Sequence, residues 1–362
     1  MKKLLDKLHL VKKKIKNTFR VIKSFHDNKR YGFKLHFYCL FSLKKKVFVV
    51  GSPEYENLGD SAITIAEMLF LEKCGYKKSQ IKEITQSDFY KYIKHLGFLF
   101  NSHTIICGVG GGNMGNQWPA EELFRYDMMN FFTKQSIVIF PQTIFFTPDD
   151  AGEKAKNDSI VYYNDERITL VSREQESYRI MKSLYPKANV IMTPDIVLSS
   201  DMSDYGVTPN SRNGVLLVFR NDVEKSLSDS SINLIKEYLD SDNYCFRSTD
   251  MYSDKPVTKD NRFEQVRKKM QEFADSELVI TDRLHGMVFA TITNTPCIVF
   301  GNYNHKVSGT YEWLKDLGYI HFVYTTDEAI SFIPELIKMK DCRFDKVKLN
   351  KKFNVLNDAI NS

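Results

Sequence analysis

Residues Glu277-Leu278-Val279-Ile280-Thr281-Asp282-Arg283-Leu284-His285-Gly286 contain a change of period, and that change decides the fold. Glu277–Thr281 is a short run rich in apolar and β-branched side chains, which reads as a buried strand. From Leu284 to Thr293 the chain is mostly apolar again and long enough for a helix. A strand that hands over directly to a helix is half of a βαβ unit, the building block of a parallel sheet. At the handover stand a permanent cation, Arg283, and an imidazole, His285. Helix N-termini favour anions through their free N–H groups and dipole. A guanidinium offers a planar fork to phosphate or carboxylate, and histidine exchanges a proton near neutral pH. The combination predicts chemistry on a small phosphorylated acid.

The same alternation extends in both directions. Strands are predicted at Val47–Gly51, Thr104–Cys107, Ile137–Phe140, Ile168–Ser172 and Asn189–Met192, the third of them stopped by Pro141. Helices are predicted from Asp60 to about Cys74 and from Arg173 to about Leu184. A polar stretch from Ser199 to Asn213 reads as a linker. The pattern restarts with a strand at Gly214–Phe219, helices near 228–239 and 261–275, a strand at 297–301 and a last β/α unit at about 319–339. At 362 residues the chain exceeds one ordinary core. The expected architecture is α/β, with two Rossmann-like domains facing a cleft. The expected division is a basic amphipathic segment over 1–45, an N-terminal domain over 46–205 and a C-terminal domain over 206–362.

Charge is unevenly placed. The net charge is +6, but residues 1–30 hold eleven Lys/Arg against two Asp, leaving the remainder at −3. Leu4, Leu5, Leu8, Val11, Ile15, Phe19 and Ile22 recur at helical spacing among these lysines, a pattern suited to an anionic membrane surface. A solvated helix or a docking arm would look the same. No apolar core and cleavage site of a secretory signal follows, and no apolar run reaches the length of a membrane span. Six scattered cysteines without a C-x-x-C pair suit a reducing cytoplasm and argue against a structural zinc or disulfide framework. There is no H-E-x-x-H, no G-x-x-x-x-G-K-[ST] and no G-x-G-x-x-G, so no metal, bound cofactor or nucleic-acid partner is expected.

In doubly wound sheets ligands bind beyond the carboxyl ends of the strands. Asn57, Gly59 and Asp60 follow the first strand, and Asp60 could cap a helix, hold a sugar hydroxyl or act as a base. Gly110-Gly111-Gly112-Asn113 follow the second, as a tight turn or a close approach to ligand. Arg173, Arg220 and Arg283 each stand just past a strand, and Arg220 breaks an apolar run so abruptly that its charge must meet water or an anion. Lys306 is a third possible cation near Arg220 and Arg283. Trp118 could stack on a sugar face or simply pack.

Five stretches in order carry a resemblance: Glu56-Asn57-Leu58-Gly59-Asp60-Ser61-Ala62-Ile63, Gly110-Gly111-Gly112-Asn113, Ser172-Arg173-Glu174, Pro194-Asp195, and Ile280-Thr281-Asp282-Arg283-Leu284-His285-Gly286. Across roughly 47–320 the chain resembles the polysaccharide pyruvyl transferase family. The resemblance implies a glycosyltransferase-B-like fold and transfer of pyruvate from phosphoenolpyruvate to two hydroxyls of one sugar, giving a cyclic ketal. It implies donor binding by Arg220, Arg283, Leu284 and His285, with His285 the catalytic acid and Arg283 assisting. Lys306 is expected beside them, and Asn57, Gly59, Asp60, Gly111, Gly112 and Asn113 on the acceptor side. The expected acceptor is a lipid-linked oligosaccharide or other glycan precursor of a surface polysaccharide, met at the cytoplasmic face of the membrane. The rival readings are a nucleotide-sugar glycosyltransferase of the same architecture and a non-catalytic scaffold.

Overall fold

The computed structural model describes residues 46–93 and 104–362, apart from Val223, Ser226, Asn302 and Tyr303. The basic amphipathic segment therefore lies outside the described residues. Two parallel sheets organise the rest. The first contains β1 (Lys46–Ser52), β2 (Ile81–Thr85), β3 (Thr104–Gly108), β4 (Gly111–Gly115), β5 (Ser136–Phe145), β6 (Ile168–Ser172) and β7 (Asn189–Met192). Its order is β2-β1-β3-β5-β6-β7, with β4 paired to the far end of β5. The second contains β8 (Val215–Val218), β9 (Phe246–Thr249), β10 (Leu278–Thr281), β11 (Cys297–Phe300) and β12 (Ile320–Val323), in the order β12-β11-β10-β8-β9.

Alternation along the strands sets the layers. Val47 and Val49 point to one side of β1, Phe48 and Val50 to the other, and both sides are buried. The Phe48 side packs on Phe89, Phe124, Phe132 and Tyr163. The Val47 side joins a cluster that continues through Leu58, Ala62 and Ala66 to Val266, Met270, Met287, Val279 and Val299 of the second half. One apolar core thus spans the space between the sheets, with helix Leu58–Lys73 against helix Arg262–Ala274. Buried Arg262 reinforces the junction: it donates to the Pro53 carbonyl at 2.6 Å and pairs with Glu83 at 2.5 Å.

Four local features differ from expectation. Pro141 does not end its strand; β5 runs on to Phe145, and the ladder to β6 shifts register between Ile139 and Gln142, where a residue lacking an N–H can sit. The glycine-rich run is not a turn, because Gly111–Gly115 forms β4. β2 and β9 carry no expectation at all: they are edge strands with Lys82, Glu83, Arg247 and Ser248 among their residues, so the apolar signal is thin. The polar stretch after β7 is a packed crossover with Ser200 and Tyr205 fully buried.

The chain's last helices return to the first half. Phe353 packs on Phe70 with ring centroids 5.8 Å apart, and Tyr76 donates to the Ile360 carbonyl at 3.3 Å.

Candidate active site

The carboxyl ends of both sheets face one another across a cavity of about 410 Å³. Asn57, Asp60, Gly112, Asn113, Arg220, Arg283, Leu284, His285 and Lys306 all line it. Gly59 and Gly111 are not among its lining residues.

From the first half, Asn57 caps helix Leu58–Lys73, its side chain accepting from the Gly59 N–H at 2.9 Å and the Asp60 N–H at 3.4 Å. Asp60 accepts from the Tyr55 hydroxyl at 3.1 Å. Burial lifts the Asp60 carboxyl above its usual range, with His285 partly opposing the effect. Asn113 is fixed by buried Arg125, which donates to its side-chain oxygen at 2.8 Å and to its carbonyl at 2.7 Å. Its amide nitrogen remains to donate to a ligand. Trp118 and Tyr252 line the mouth and stay 36% and 41% exposed, wide enough open to stack on a sugar ring.

At the floor, Arg173 is 2% exposed and pairs with Asp195 at 2.8 Å, while its Nε donates to Thr143 at 2.8 Å. The glycine at 112 makes room for that guanidinium: a Cβ there would lie 2.5 Å from an Arg173 Nη. Asp195 also sits 3.7 Å from the His285 Nε2, which has no hydrogen-bond partner. A buried polar atom without a partner costs about 1–3 kcal/mol, and a ligand group would supply the missing contact. Burial holds the imidazole below its ordinary range, with Asp195 pulling the other way. Burial therefore keeps His285 mostly neutral at neutral pH.

Gly59 has an equally direct reason. A Cβ on it would fall 2.5 Å from the His285 Nδ1. Gly59→Ala is expected to displace the ring and lower kcat by about tenfold or more, with little change in melting temperature. Unaltered turnover would show that the ring position is not critical.

In the second half the cations are less free than the sequence suggests. Arg220 donates from Nε to Asp222 at 2.9 Å and pairs with Glu224 through Nη2. Arg283 forks onto Asp250 with two bonds of 2.8 Å and reaches Asp222 at 2.7 Å, while its guanidinium lies 5.2 Å from the Tyr252 ring centre. Lys306 pairs with Glu224. Burial pulls Lys306 down to about 8, against the effect of Glu224. Arg220 and Arg283 meet at Asp222, so they do converge, but through carboxylates. Sequence reasoning missed Tyr55, Asp222, Glu224, Asp250 and Tyr252; loop acids and tyrosines carry no periodic signal.

No group of three or more His, Cys, Asp or Glu able to hold a metal occurs among the described residues, and none of their helices is long and apolar enough to cross a membrane.

Two parallel sheets with an imidazole, four cations and aromatic rings at their facing ends define a glycosyltransferase-B-like enzyme of group transfer. Residues 57–305 match the family described as Polysaccharide pyruvyl transferase, and the chain belongs to that family. It is similar to General stress protein 30 of Bacillus subtilis (strain 168), 33% identical over 88% of this chain and 92% of that one. It is also similar to Pyruvyl transferase 1 of Schizosaccharomyces pombe (strain 972 / ATCC 24843), 28% identical over 80% of this chain and 76% of the relative. Among solved structures, an uncharacterized protein of Klebsiella pneumoniae subsp. pneumoniae NTUH-K2044 shares the fold, with a TM-score of 0.55 at 19% identity over 82% of this chain and 98% of that one.

Proposed function

We propose that this pyruvyl transferase moves pyruvate from phosphoenolpyruvate onto two hydroxyls of one sugar in a surface polysaccharide precursor, closing a cyclic ketal and releasing phosphate. The observation that carries the reading is the convergence of Arg220, Arg283, Lys306 and the partnerless His285 nitrogen on one cavity. The donor brings two anionic groups and an enol carbon that must gain a proton. In this reading 206–362 supplies the donor side and 46–205 the acceptor side, except that the last helices pack with the first half.

The chemistry then distributes as follows. One sugar hydroxyl adds to C2 of the donor while C3 gains a proton and becomes a methyl group. His285 is the acid for that proton. The C2–O bond to phosphate breaks, Arg220, Arg283 and Lys306 offset the growing charge, and the second hydroxyl closes the ring on an oxocarbenium-like C2. Net, one hydroxyl proton ends on C3 and the other on phosphate. Asp60, lifted by burial and oriented by Tyr55, takes the acceptor proton.

A pH profile follows. The acid must be protonated, and the protonated fraction falls as pH rises through its pKa. Because burial holds His285 below its ordinary range, kcat/KM is expected to decline above an inflection on the acid side of 6.5. Bound dianion favours imidazolium, so the inflection in kcat should lie higher. A kcat/KM that keeps rising past neutrality would remove His285 as the acid.

The direct test is mass spectrometry of lipid-linked glycans incubated with enzyme and phosphoenolpyruvate. A gain of about 70 Da with release of inorganic phosphate is expected; transfer of a glycosyl mass from a sugar nucleotide would overturn the reading. The cytoplasmic membrane face is the proposed place of work, and removal of residues 1–30 should weaken sedimentation with anionic vesicles.

A further inference from the structure

The donor side holds two carboxylates in contact with the cations that a donor would need. Glu224 is 1% exposed, and one of its oxygens, Oε2, meets both the Arg220 Nη2 and the Lys306 Nζ. Asp222 bridges the Arg220 Nε at 2.9 Å and the Arg283 Nη1 at 2.7 Å. Three cations are thus spanned by two anionic groups two residues apart. Phosphoenolpyruvate likewise presents two anionic groups, phosphate and carboxylate, on adjacent bonds.

We propose that the Asp222 and Glu224 side chains are internal stand-ins for the donor's two anions, holding Arg220, Arg283 and Lys306 in place in the empty enzyme and yielding those contacts when donor enters. The proposal rests on the donor assignment made above, and it extends that assignment to two positioning residues. Three features support it. Asp222 and Glu224 belong to one local turn, in which the Glu224 N–H donates to Asp222 Oδ1 at 3.1 Å and the Lys225 N–H to the Asp222 carbonyl at 3.0 Å. The turn is closed on itself, so the two acids can leave the cations together. Both acids also line the cavity rather than its back wall. Asp250, by contrast, holds Arg283 by two parallel bonds and does not line the cavity, so it keeps that guanidinium anchored throughout.

The physical consequence is a competition. Without Asp222 and Glu224, three buried cations would be balanced only by Asp250 on Arg283, would repel one another and would bind any passing anion. Internal carboxylates remove that instability at the cost of donor affinity. A multivalent dianion wins because a phosphate offers three oxygens to the cations that Glu224 meets with one. Monovalent anions do not win, which gives the site selectivity.

Binding of inorganic phosphate and of phosphoenolpyruvate to the full chain is measured by calorimetry for wild type, Glu224→Gln and Asp222→Asn, after a melting curve establishes that each variant is folded. Each folded variant is expected to bind inorganic phosphate about tenfold more tightly than wild type, because the competing closed form is lost. Unchanged or weaker phosphate binding would overturn the proposal, and so would failure of both variants to fold, since the acids would then be structural. The arms separate the two readings. Tighter phosphate binding with no preference for phosphoenolpyruvate in any protein would leave the stand-in role intact and sink the donor assignment.

Discussion

His285→Ala loses ketal formation by about a thousandfold or more while keeping its melting temperature, the range expected when a positioned general acid is removed. The expectation is built from the ring's surroundings. His285 lies in the first turn of helix Leu284–Ile292, directly after β10, and the glycine at 59 allows the opposite half to close on its other edge. Its Nε2 has no hydrogen-bond partner in the protein, so no structural hydrogen bond from that atom is lost on replacement. His285→Gln is the sharper control. It keeps bulk and a donor N–H but cannot release a proton, and it should be as inactive as alanine. Substantial turnover in either variant, measured as phosphate release, would assign proton delivery elsewhere.

Arg283→Ala combines two losses. The guanidinium holds Asp250 and Asp222 simultaneously, and without it both carboxylates lose their countercharge, Asp222 at a cavity wall that already carries Glu224. Breaking a largely buried ion pair by removing one partner leaves uncompensated charge and costs about 3 kcal/mol, read as a lower melting temperature. On the donor assignment proposed above, the donor also loses a contact that strengthens as the phosphate departs, so kcat/KM is expected to fall about a hundredfold or more. Arg283→Lys keeps the charge but not the fork onto Asp250, and should recover little of the activity. A lysine variant with near-normal kcat/KM would mean that the site needs a point charge there rather than geometry.

Much of this arrangement was legible before any coordinates. The strand-to-helix handover at 278–292 is strongly apolar on both sides, and Arg220 interrupts an otherwise apolar run, so both cations could be assigned to the carboxyl ends of the sheet. The nine residues that meet in the cavity come from connecting loops, from the first turns of helices and from β4, at the end of each sheet where parallel topology places such segments. What could not be read is how the charges are shared. Asp222, Glu224 and Asp250 lie in connecting segments, where an acid looks the same whether it faces water or a guanidinium. The sequence therefore suggested a bare cationic clamp, and the folded chain has a balanced one. Pro141 misled for a different reason: a proline normally ends a strand, but here a register shift absorbs it. Of the three missed strands, β2 and β9 are edges whose polar residues blunt the signal on which strand assignment depends, and β4 is a glycine-rich run with almost no apolar side chains to carry it.

The return of the final helices onto the first half has a consequence for how the protein is made. The Tyr76 hydroxyl bonds a carbonyl 284 positions further along, so part of the surface around residues 70–76 must wait until residues 353–360 have left the ribosome. Until then its apolar face, Phe70 included, is open to solvent and to chaperones, and nascent-chain length rather than local sequence governs when that region matures.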